Sequence, residues 1–377
     1  MTRIGAAIGG QVLWSDAASP ARGDVVWHGD RLVDRGAAAP TDADVIDATG
    51  CLVLPGLVDL HGDAFERSVM PRGGVAVDLG IAMADNADQL LGSGITTSYL
   101  SATDSWEPGL RSRRMLLRLV DALDAGVPGP KVELHVRHER CATDDLTDLV
   151  ELIERGRVTL LSYNDHTPGG IVHITGISPS MLARSGVELQ RLEEIQEAAV
   201  GRRPLGRQQE RHLAAACGRA NCPTASHDAA DEQDLERDLD LGVDIAEFPI
   251  SAELAQAYRD EGIWVLLGAP NLVRGGSHLG NLSVKDAFRP GDVLCSDYHY
   301  PSLLQAPFVI EREGLGSFAE GWRACSTSAA DAVGRSDIGR IEEGAAADLV
   351  VVEPPADGRP ARVKAVVVDG EIVRHAV

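Results

Sequence analysis

A histidine and an aspartate that follow a short apolar run have a spacing suited to metal binding. Within residues 57–63, His61 and Asp63 are two positions apart. Because side chains alternate along an extended strand, these two would point to the same face. A polar strand end exposed to solvent is the alternative explanation. If this strand ends at an active site, the pair offers a metal one imidazole and one carboxylate.

Four further side chains of the same chemical types follow other apolar runs. Glu139 ends the run at 132–139, and its carboxylate could bridge two metals; His166, His227 and Asp297 follow the runs that end near residues 164, 226 and 296. A lone histidine is more often structural. Together, however, these groups lie at five strand ends, whereas chance would scatter them through helices and turns. The set predicts a metal site.

Imidazole and carboxylate ligands favour a divalent transition metal, so we expect one or two zinc ions, with manganese, iron or nickel as alternatives. A metal can lower the pKa of its bound water from about 16 to roughly 7, which supplies hydroxide at neutral pH. Asp297 would hold this water and act as the general base. His278 or Asp165 could assist the leaving group. These residues predict a metal-dependent hydrolase.

The elements that must position this site alternate between short apolar strands and helices. One helix is indicated by Leu189, Leu192, Ile195 and Ala199, at spacings of three and four. Eight strands are predicted, and they end at Leu60, Leu100, His138, Asn164, Ser226, Phe248, Ala269 and Ser296. Eight strands with intervening helices predict a (β/α)8 TIM-like barrel, whose active site lies at the carboxyl ends of the strands.

Both ends of the chain differ from this middle part. Residues 1–54 and the last forty residues contain short apolar runs separated by turns, and Asp369-Gly370 between two such runs is a strong hairpin signal. We therefore expect a small β-sandwich domain formed from both chain ends. The predicted division is 1–54 for its first part, 55–332 for the barrel and 333–377 for its second part.

The stretch 166–187 is long and rich in glycine and serine. Long loops in compact domains are often active-site lids, and a disordered insertion is the alternative.

Composition limits the partners of this 377-residue chain. Its formal charge of -22 disfavours nucleic acids and anionic membranes, although metals and a few arginines could still attract an anionic small molecule into one cleft. The six cysteines form no C-x-x-C pair, which is typical of reduced thiols in a cytosolic protein. Neither a signal peptide nor an apolar run long enough for a membrane helix is evident, so we expect a cytoplasmic protein.

Several motifs carry a resemblance to a known family. Residues 54–63 resemble the first-strand signature of the amidohydrolase superfamily, with Asp63 where a second histidine is usual. Within that superfamily the chain is similar to the diphosphatases of the carbon–phosphorus lyase pathway of phosphonate metabolism. The matching segments are 70–72, 94–97, 105–111, 162–166, 269–271, 274–278, 295–298 and 344–350.

The resemblance implies hydrolysis of α-D-ribose 1-methylphosphonate 5-triphosphate to the 5-phosphate plus diphosphate. Such a polyanion needs positive and hydrogen-bonding groups around it. The candidates for substrate binding are Arg72, Arg274, Ser277, His278 and Asn281. The superfamily also uses a carbamylated lysine as the metal bridge, but Lys131, Lys285 and Lys364 are the only lysines and none ends a predicted strand. Glu139 is therefore the candidate bridge. Many members form oligomers, so a homo-oligomer is possible.

Two other hypotheses remain open at this point. The same scaffold could hydrolyse an amide or cyclic amide, or deaminate a ring, because fold does not determine function. Several arginines converging on the pocket would favour phosphate, whereas an apolar pocket with one arginine would favour an amide. A non-catalytic binding protein that keeps the fold is the third hypothesis. Replacing Asp297 with Asn would separate the cases, because an enzyme would lose turnover and keep its substrate affinity, whereas a binding protein would have no turnover to lose.

Overall fold

The computed structural model describes residues 4–170, 175–276 and 283–375. Its strands are, in chain order, β1 Ile4–Val12, β2 Ala21–His28, β3 Arg31–Leu32, β4 Asp44–Asp47, β5 Leu52–Pro55, β6 Leu57–Gly62, β7 Ile95–Asp104, β8 Lys131–Glu139, β9 Leu160–Asn164, β10 Thr224–His227, β11 Ile245–Glu247, β12 Trp264–Gly268, β13 Val293–Cys295, β14 Leu349–Glu353, β15 Arg362–Val368 and β16 Glu371–His375.

The α-helices are α1 Phe65–Val69, α2 Leu79–Gly92, α3 Arg113–Asp124, α4 Thr147–Glu154, α5 Pro179–Ser185, α6 Leu189–Gly201, α7 Arg203–Ala220, α8 Glu232–Leu241, α9 Ala252–Asp260, α10 Ala269–Arg274, α11 Val284–Ala287, α12 Tyr300–Arg312, α13 Phe318–Ala324 and α14 Thr327–Ala332. A short 3-10 turn spans Gly109–Arg111.

Strands β6 to β13 form the predicted barrel. They pair in parallel in the order β13-β12-β11-β10-β9-β8-β7-β6, and helices connect successive strands. The apolar side chains on the outer faces of β7, β8 and β9 pack with those of α2, α3, α4 and α7 in one buried cluster. Burial of each large apolar side chain contributes about 1.5–3 kcal/mol, so this packing stabilises the closed arrangement. The prediction of a TIM-like barrel is confirmed.

Hydrogen bonds between the first and last barrel strands close the ring. The Asp297 amide donates to the His61 carbonyl at 2.8 Å, and the Asp63 amide donates to the Asp297 carbonyl at 3.0 Å. Beneath this junction, buried Asp59 accepts hydrogen bonds from the backbone amide and the hydroxyl of Ser296. The closure therefore fixes Asp297 beside the end of β6.

The strands of the two chain ends form one mixed sheet, in the order β16-β15-β14-β5-β1-β2-β3, with β4 paired to β1. The indole of Trp27 donates to the Gly370 carbonyl at 2.8 Å and so links the two chain ends. The predicted hairpin at Asp369-Gly370 joins antiparallel β15 and β16. The two ends thus come together as expected, while the domain boundaries at 54/55 and 332/333 stay a prediction.

All three lysines lie away from the carboxyl ends of the barrel strands. Lys131 begins β8, where its ammonium group pairs with Asp348 and Asp369 and ties the mixed sheet to the barrel. Lys285 lies on α11 and Lys364 on β15. A carbamylated lysine is therefore not positioned at the candidate site.

The remaining sequence expectations concern cysteines, membrane segments and the 166–187 stretch. All six cysteines are free and buried. In the ranges that the structure describes, no helix has the length and apolarity to cross a bilayer. Part of the 166–187 stretch forms α5, and residues 171–174 lie outside the described ranges.

Candidate metal centre

The six predicted metal-binding side chains lie at the carboxyl ends of five barrel strands. His61 and Asp63 are at the end of β6, and Glu139 is the last residue of β8. The others follow at the ends of β9, β10 and β13, and they are His166, His227 and Asp297. Because the carboxyl ends of parallel strands meet at one side of a barrel, these residues come together.

Their ligand atoms form compact groups. His61, Asp63 and Asp297 make one group, in which one ligand atom from each residue lies within 4.8 Å of the others. His166 and His227 make a second such group with Asp228. Both groups combine imidazole nitrogens with carboxylate oxygens, the donors that zinc, manganese, iron and nickel accept.

A third group lies deeper in the barrel and consists of His61, His135 and Glu247, all fully buried. The Nδ1 of His135 lies 3.1 Å from the Leu60 carbonyl, which can only accept, so Nδ1 carries the proton and Nε2 keeps a lone pair. That Nε2 and the Oε2 of Glu247 are buried without a hydrogen-bond partner in the described structure. Two unpaired buried ligand atoms fit a divalent metal better than they fit a filled polar core.

Sequence reasoning missed His135, Glu247 and Asp228, although a signal for each exists. His135 shares the face of Glu139 on β8, because the two residues are four positions apart along the strand. Glu247 ends its barrel strand, and Asp228 directly follows His227. Attention to strand ends explains why His135, four positions before the end of β8, was overlooked, but it does not explain the omission of Glu247 and Asp228.

Burial governs the protonation of the histidines. Desolvation, reinforced by the positive charge of Arg137, lowers the pKa of His61 well below its usual value. Desolvation also lowers the pKa of His135 to about 3. Both imidazoles are therefore neutral at physiological pH, which is the form that binds a metal.

The carboxylates respond to their neighbours in opposite directions. Burial would raise the pKa of Glu139, but the charge of His166 and two hydrogen bonds from its backbone amide and ring outweigh burial and lower the pKa to about 2. Burial, followed by the charge of Asp63, raises the pKa of Asp297 to about 7. Glu139 thus stays ionised, while Asp297 can exchange a proton near neutral pH.

Left-handed backbone conformations recur at the site. Asp228, Phe248 and Asp297 have φ values of 55°, 55° and 51°. This conformation is unfavourable for a bulky residue such as phenylalanine, and such strain is often found where a function requires it. The Phe248 ring packs edge-on against His61 and His227, with ring centroids 5.0 and 5.1 Å apart. The strained turn therefore supports two of the candidate ligands.

Arginines contact the same groups. The two terminal nitrogens of Arg137 lie 3.3 Å from Asp63 Oδ2 and 3.3 Å from His227 Nε2. Arg111 Nη2 is 3.9 Å from Asp63 Oδ2. Through Nε and Nη2, Arg111 also forms a two-point ion pair with Glu66. Positive charge thus reaches the carboxylate cluster from neighbouring strands and loops.

The other predicted site residues are elsewhere or outside the described ranges. Arg72 is exposed in a turn, and Arg274 is exposed at the end of α10. Asp165 accepts a hydrogen bond from Arg203 at 2.8 Å, and Arg140 lies 3.4 Å away, so its carboxylate faces a buried ion pair network. Ser277, His278 and Asn281 lie outside the described residues. The roles of all six stay predictions.

We expect Glu247→Gln to lower the affinity for zinc by about 10–100-fold. Glu247 Oε1 lies 2.8 Å from His61 Nδ1, and a neutral amide would orient the His61 ring less strongly and would bind the ion less strongly than a carboxylate. Competition with a chromogenic chelator would measure this. Glu253→Gln, the same change on an exposed position of α9, is the control. Unchanged zinc affinity in the Glu247 variant would exclude this residue from the metal centre.

Comparisons with known proteins agree with this architecture. Residues 303–374 match the model of the Amidohydrolase family. The α-D-ribose 1-methylphosphonate 5-triphosphate diphosphatase of Escherichia coli (strain K12) is 32% identical over 323 residues, which cover 82% of this chain and 85% of that protein.

Two solved structures illustrate the likeness in fold. A prolidase complexed with N-methylphosphonate-L-proline has a TM-score of 0.63 at 19% identity, covering 99% of this chain and 100% of that one. The dihydropyrimidinase from Brevibacillus agri has a TM-score of 0.60 at 14% identity, covering 99% and 95%. At such identities these structures indicate a shared fold alone.

Proposed function

The chain belongs to the amidohydrolase superfamily, together with the Escherichia coli diphosphatase, and from this premise we propose that it hydrolyses α-D-ribose 1-methylphosphonate 5-triphosphate to the 5-phosphate and diphosphate. The similarity to that relative over most of both chains carries the proposal. The candidate metal centre at the carboxyl ends of the barrel strands supports it.

The charges around the centre favour a phosphorylated substrate over an amide. Arg137 and Arg111 approach Asp63, and Arg184 lines the same cavity as Glu139. Guanidinium groups bind phosphate oxygens with two parallel hydrogen bonds, so several of them suit a polyanion. An amide substrate would need fewer cations. Arg72, Arg274, Ser277 and Asn281 stay further candidates for phosphate binding.

The residues present fit a divalent metal, since His135 Nε2 and Glu247 Oε2 are buried ligand atoms without a hydrogen-bond partner in the described part of the chain. His61, Asp63 and Asp297 would hold one ion, and His166, His227 and Asp228 a second, with Glu139 as the candidate bridge; the buried group of His61, His135 and Glu247 is the alternative location. When bound, a divalent ion such as zinc supplies Lewis acidity at neutral pH and neutralises phosphate charge.

The protein's own groups direct the proton transfer. The backbone amide of Asp297 donates to the His61 carbonyl, which fixes the Asp297 carboxylate beside Asp63. It would accept a proton from the attacking water as the water oxygen bonds to the α-phosphorus. The bond from that phosphorus to the leaving oxygen breaks at the same time, and the electron pair leaves with diphosphate. His278 and Asp165 stay candidates for assisting departure.

Phosphorus NMR of the zinc-loaded protein with the ribose triphosphate tests this function. We expect equal amounts of diphosphate and of the 5-phosphate product, with no release of inorganic phosphate. Release of inorganic phosphate would indicate attack at the terminal phosphate and would contradict the assigned bond. If no product forms with metal bound, a panel of amides, lactams and aminated rings becomes the next set of substrates.

A further inference from the structure

A cavity of about 210 Å³ lies beside the candidate metal centre. Glu139 and His166 form one side of it. The other walls come from the end of β7, the loop that follows it and α5, and they include Thr103, Trp106 and Arg184. The cavity therefore joins the metal centre to the 105–111 motif, which includes Arg111.

Two buried hydrogen-bond donors in this wall have no partner among the residues that the structure describes. Thr103 is 6% and Trp106 7% exposed, and the hydroxyl of the first and the indole N–H of the second make no hydrogen bond within the described structure. Buried polar groups in native proteins are nearly always paired, and an orphan requires an explanation. A bound ligand that accepts hydrogen bonds would supply one.

Two guanidinium groups line the same cavity and are held rigidly. Arg111 binds Glu66 through Nε and Nη2 at 2.8 and 2.9 Å. Arg184 binds Glu107 through the same two nitrogens at 2.6 and 2.8 Å. Each pair uses one edge of the guanidinium, so the Nη1 donors are not engaged by these carboxylates. The arginines are thus oriented in advance.

A glycine permits α5 to close over the motif. Gly109 has φ +80°, and a Cβ at this position would lie 2.3 Å from the carbonyl oxygen of Arg184. Any side chain here would push α5 and its arginine away from Trp106. Glycine at position 109 is therefore required for the close packing of α5 that forms this wall of the cavity.

We propose that this cavity binds a phosphoryl or phosphonyl group of the substrate, with Trp106 and Thr103 donating to its oxygens and Arg111 and Arg184 facing its charge. The indole and guanidinium groups only donate, so they require a ligand rich in acceptors, and a tetrahedral phosphorus oxyanion offers several. This inference rests on the proposed function for the identity of the whole substrate. The Glu66 and Glu107 carboxylates, already paired, do not compete.

Trp106→Phe and Thr103→Val test the cavity. Each variant removes a donor that has no partner in the described part of the chain. Thr103→Val should therefore leave the Tm unchanged. Trp106→Phe also removes part of a side chain packed in a buried cluster, so it should lower the Tm by a few degrees without lowering kcat. We expect KM for the phosphonate triphosphate to rise about tenfold, with kcat changed less than about threefold, which corresponds to loss of one hydrogen bond to a charged group. Trp264→Phe, at the opposite end of the barrel, is the control. Unchanged KM, or a lower Tm with a matching fall in kcat, would overturn the assignment.

Two substrates identify which end of the molecule the cavity binds. If the cavity holds the methylphosphonate, the variants should raise KM for the phosphonate triphosphate and leave KM for ribose 5-triphosphate unchanged. If it holds a phosphate of the triphosphate chain, KM should rise for both. Either result supports an oxyanion cavity.

A binding measurement separates this inference from the proposed function. Methylphosphonate is titrated into the zinc-loaded protein and followed by phosphorus NMR line broadening. Weaker binding in both cavity variants, with wild-type binding retained, supports the cavity even if no diphosphate is released. Equal binding in the wild type and both variants would overturn it even if the diphosphatase activity is present.

Discussion

Replacing Asp297 with asparagine is expected to lower kcat for diphosphate release by about 10²–10⁴-fold, the range for loss of a general base. KM should change little, because the phosphates would be bound by arginines and metals. Asparagine keeps the size of the side chain but cannot accept a proton. The φ of 51° at this position is tolerated by asparagine as well as by aspartate, so the strand junction should form normally. Steady-state kinetics measures both constants.

Metal content must be measured alongside these constants, because Asp297 is also a candidate ligand. We expect the variant to retain most of its zinc through the histidines. Asp88→Asn, the same substitution on an exposed position of α2, should behave as the wild type. Full activity of the Asp297 variant at normal zinc content would remove this residue from the mechanism. A protein with no turnover of the triphosphate or of the amide, lactam and aminated-ring panel would instead be the non-catalytic binding protein.

The fold was predictable because its signals are local. Most barrel strands contain a short apolar run, and helices between them, such as α6, repeat apolar residues every three or four positions, so this alternation indicated eight parallel strands. The pairing of the chain ends was also predictable from their similar character. The observed partners, such as Trp27 and the Gly370 carbonyl, lie 343 residues apart, and no local pattern could identify them.

The candidate ligands were predicted where a side chain was noticed at the end of a strand, although Glu247, which also ends a strand, was overlooked. His61, Asp63 and Asp297 were predicted to lie together because the carboxyl ends of barrel strands converge, and their ligand atoms do form one group, while their role as ligands stays a prediction. His135 was missed because it lies inside β8, and its closeness to Glu247 exists only once the barrel has closed. Which residues of different strands lie at the same level of the barrel depends on how the strands are staggered, and the stagger cannot be read from the sequence.

Arginines illustrate a different limit. Arg72 and Arg274 were chosen from motif position, and both are exposed. Arg111 lay within a matched motif and Arg137 within a predicted strand, and both reach Asp63. A long flexible side chain can point in many directions, and its partners decide which one is adopted. The role of an arginine therefore follows from ion pairs that form only in the folded protein.

Removing the metal is expected to abolish diphosphate release and to lower the free energy of unfolding by about 4 kcal/mol when the wild type has been saturated at roughly 1,000 times its Kd. The physical reason is that the ligands come together only in the folded state. In the buried group of His61, His135 and Glu247, two neutral imidazoles and one carboxylate could bind the ion only when the barrel has formed. Dialysis against a strong chelator, followed by denaturant unfolding and the phosphorus assay, measures both effects.

Zinc added back should restore activity and stability together, while magnesium or calcium should restore little, because imidazole ligands favour transition metals over these ions. A chelator saturated with zinc beforehand is the control for direct effects of the chelator on the protein. Stability that falls without loss of activity would assign the metal a structural role. A filled site would hold ~1 ion per chain. Activity that persists when the bound metal is well below this, under about one tenth of an ion per chain, would rule out the hydrolytic role proposed for this centre.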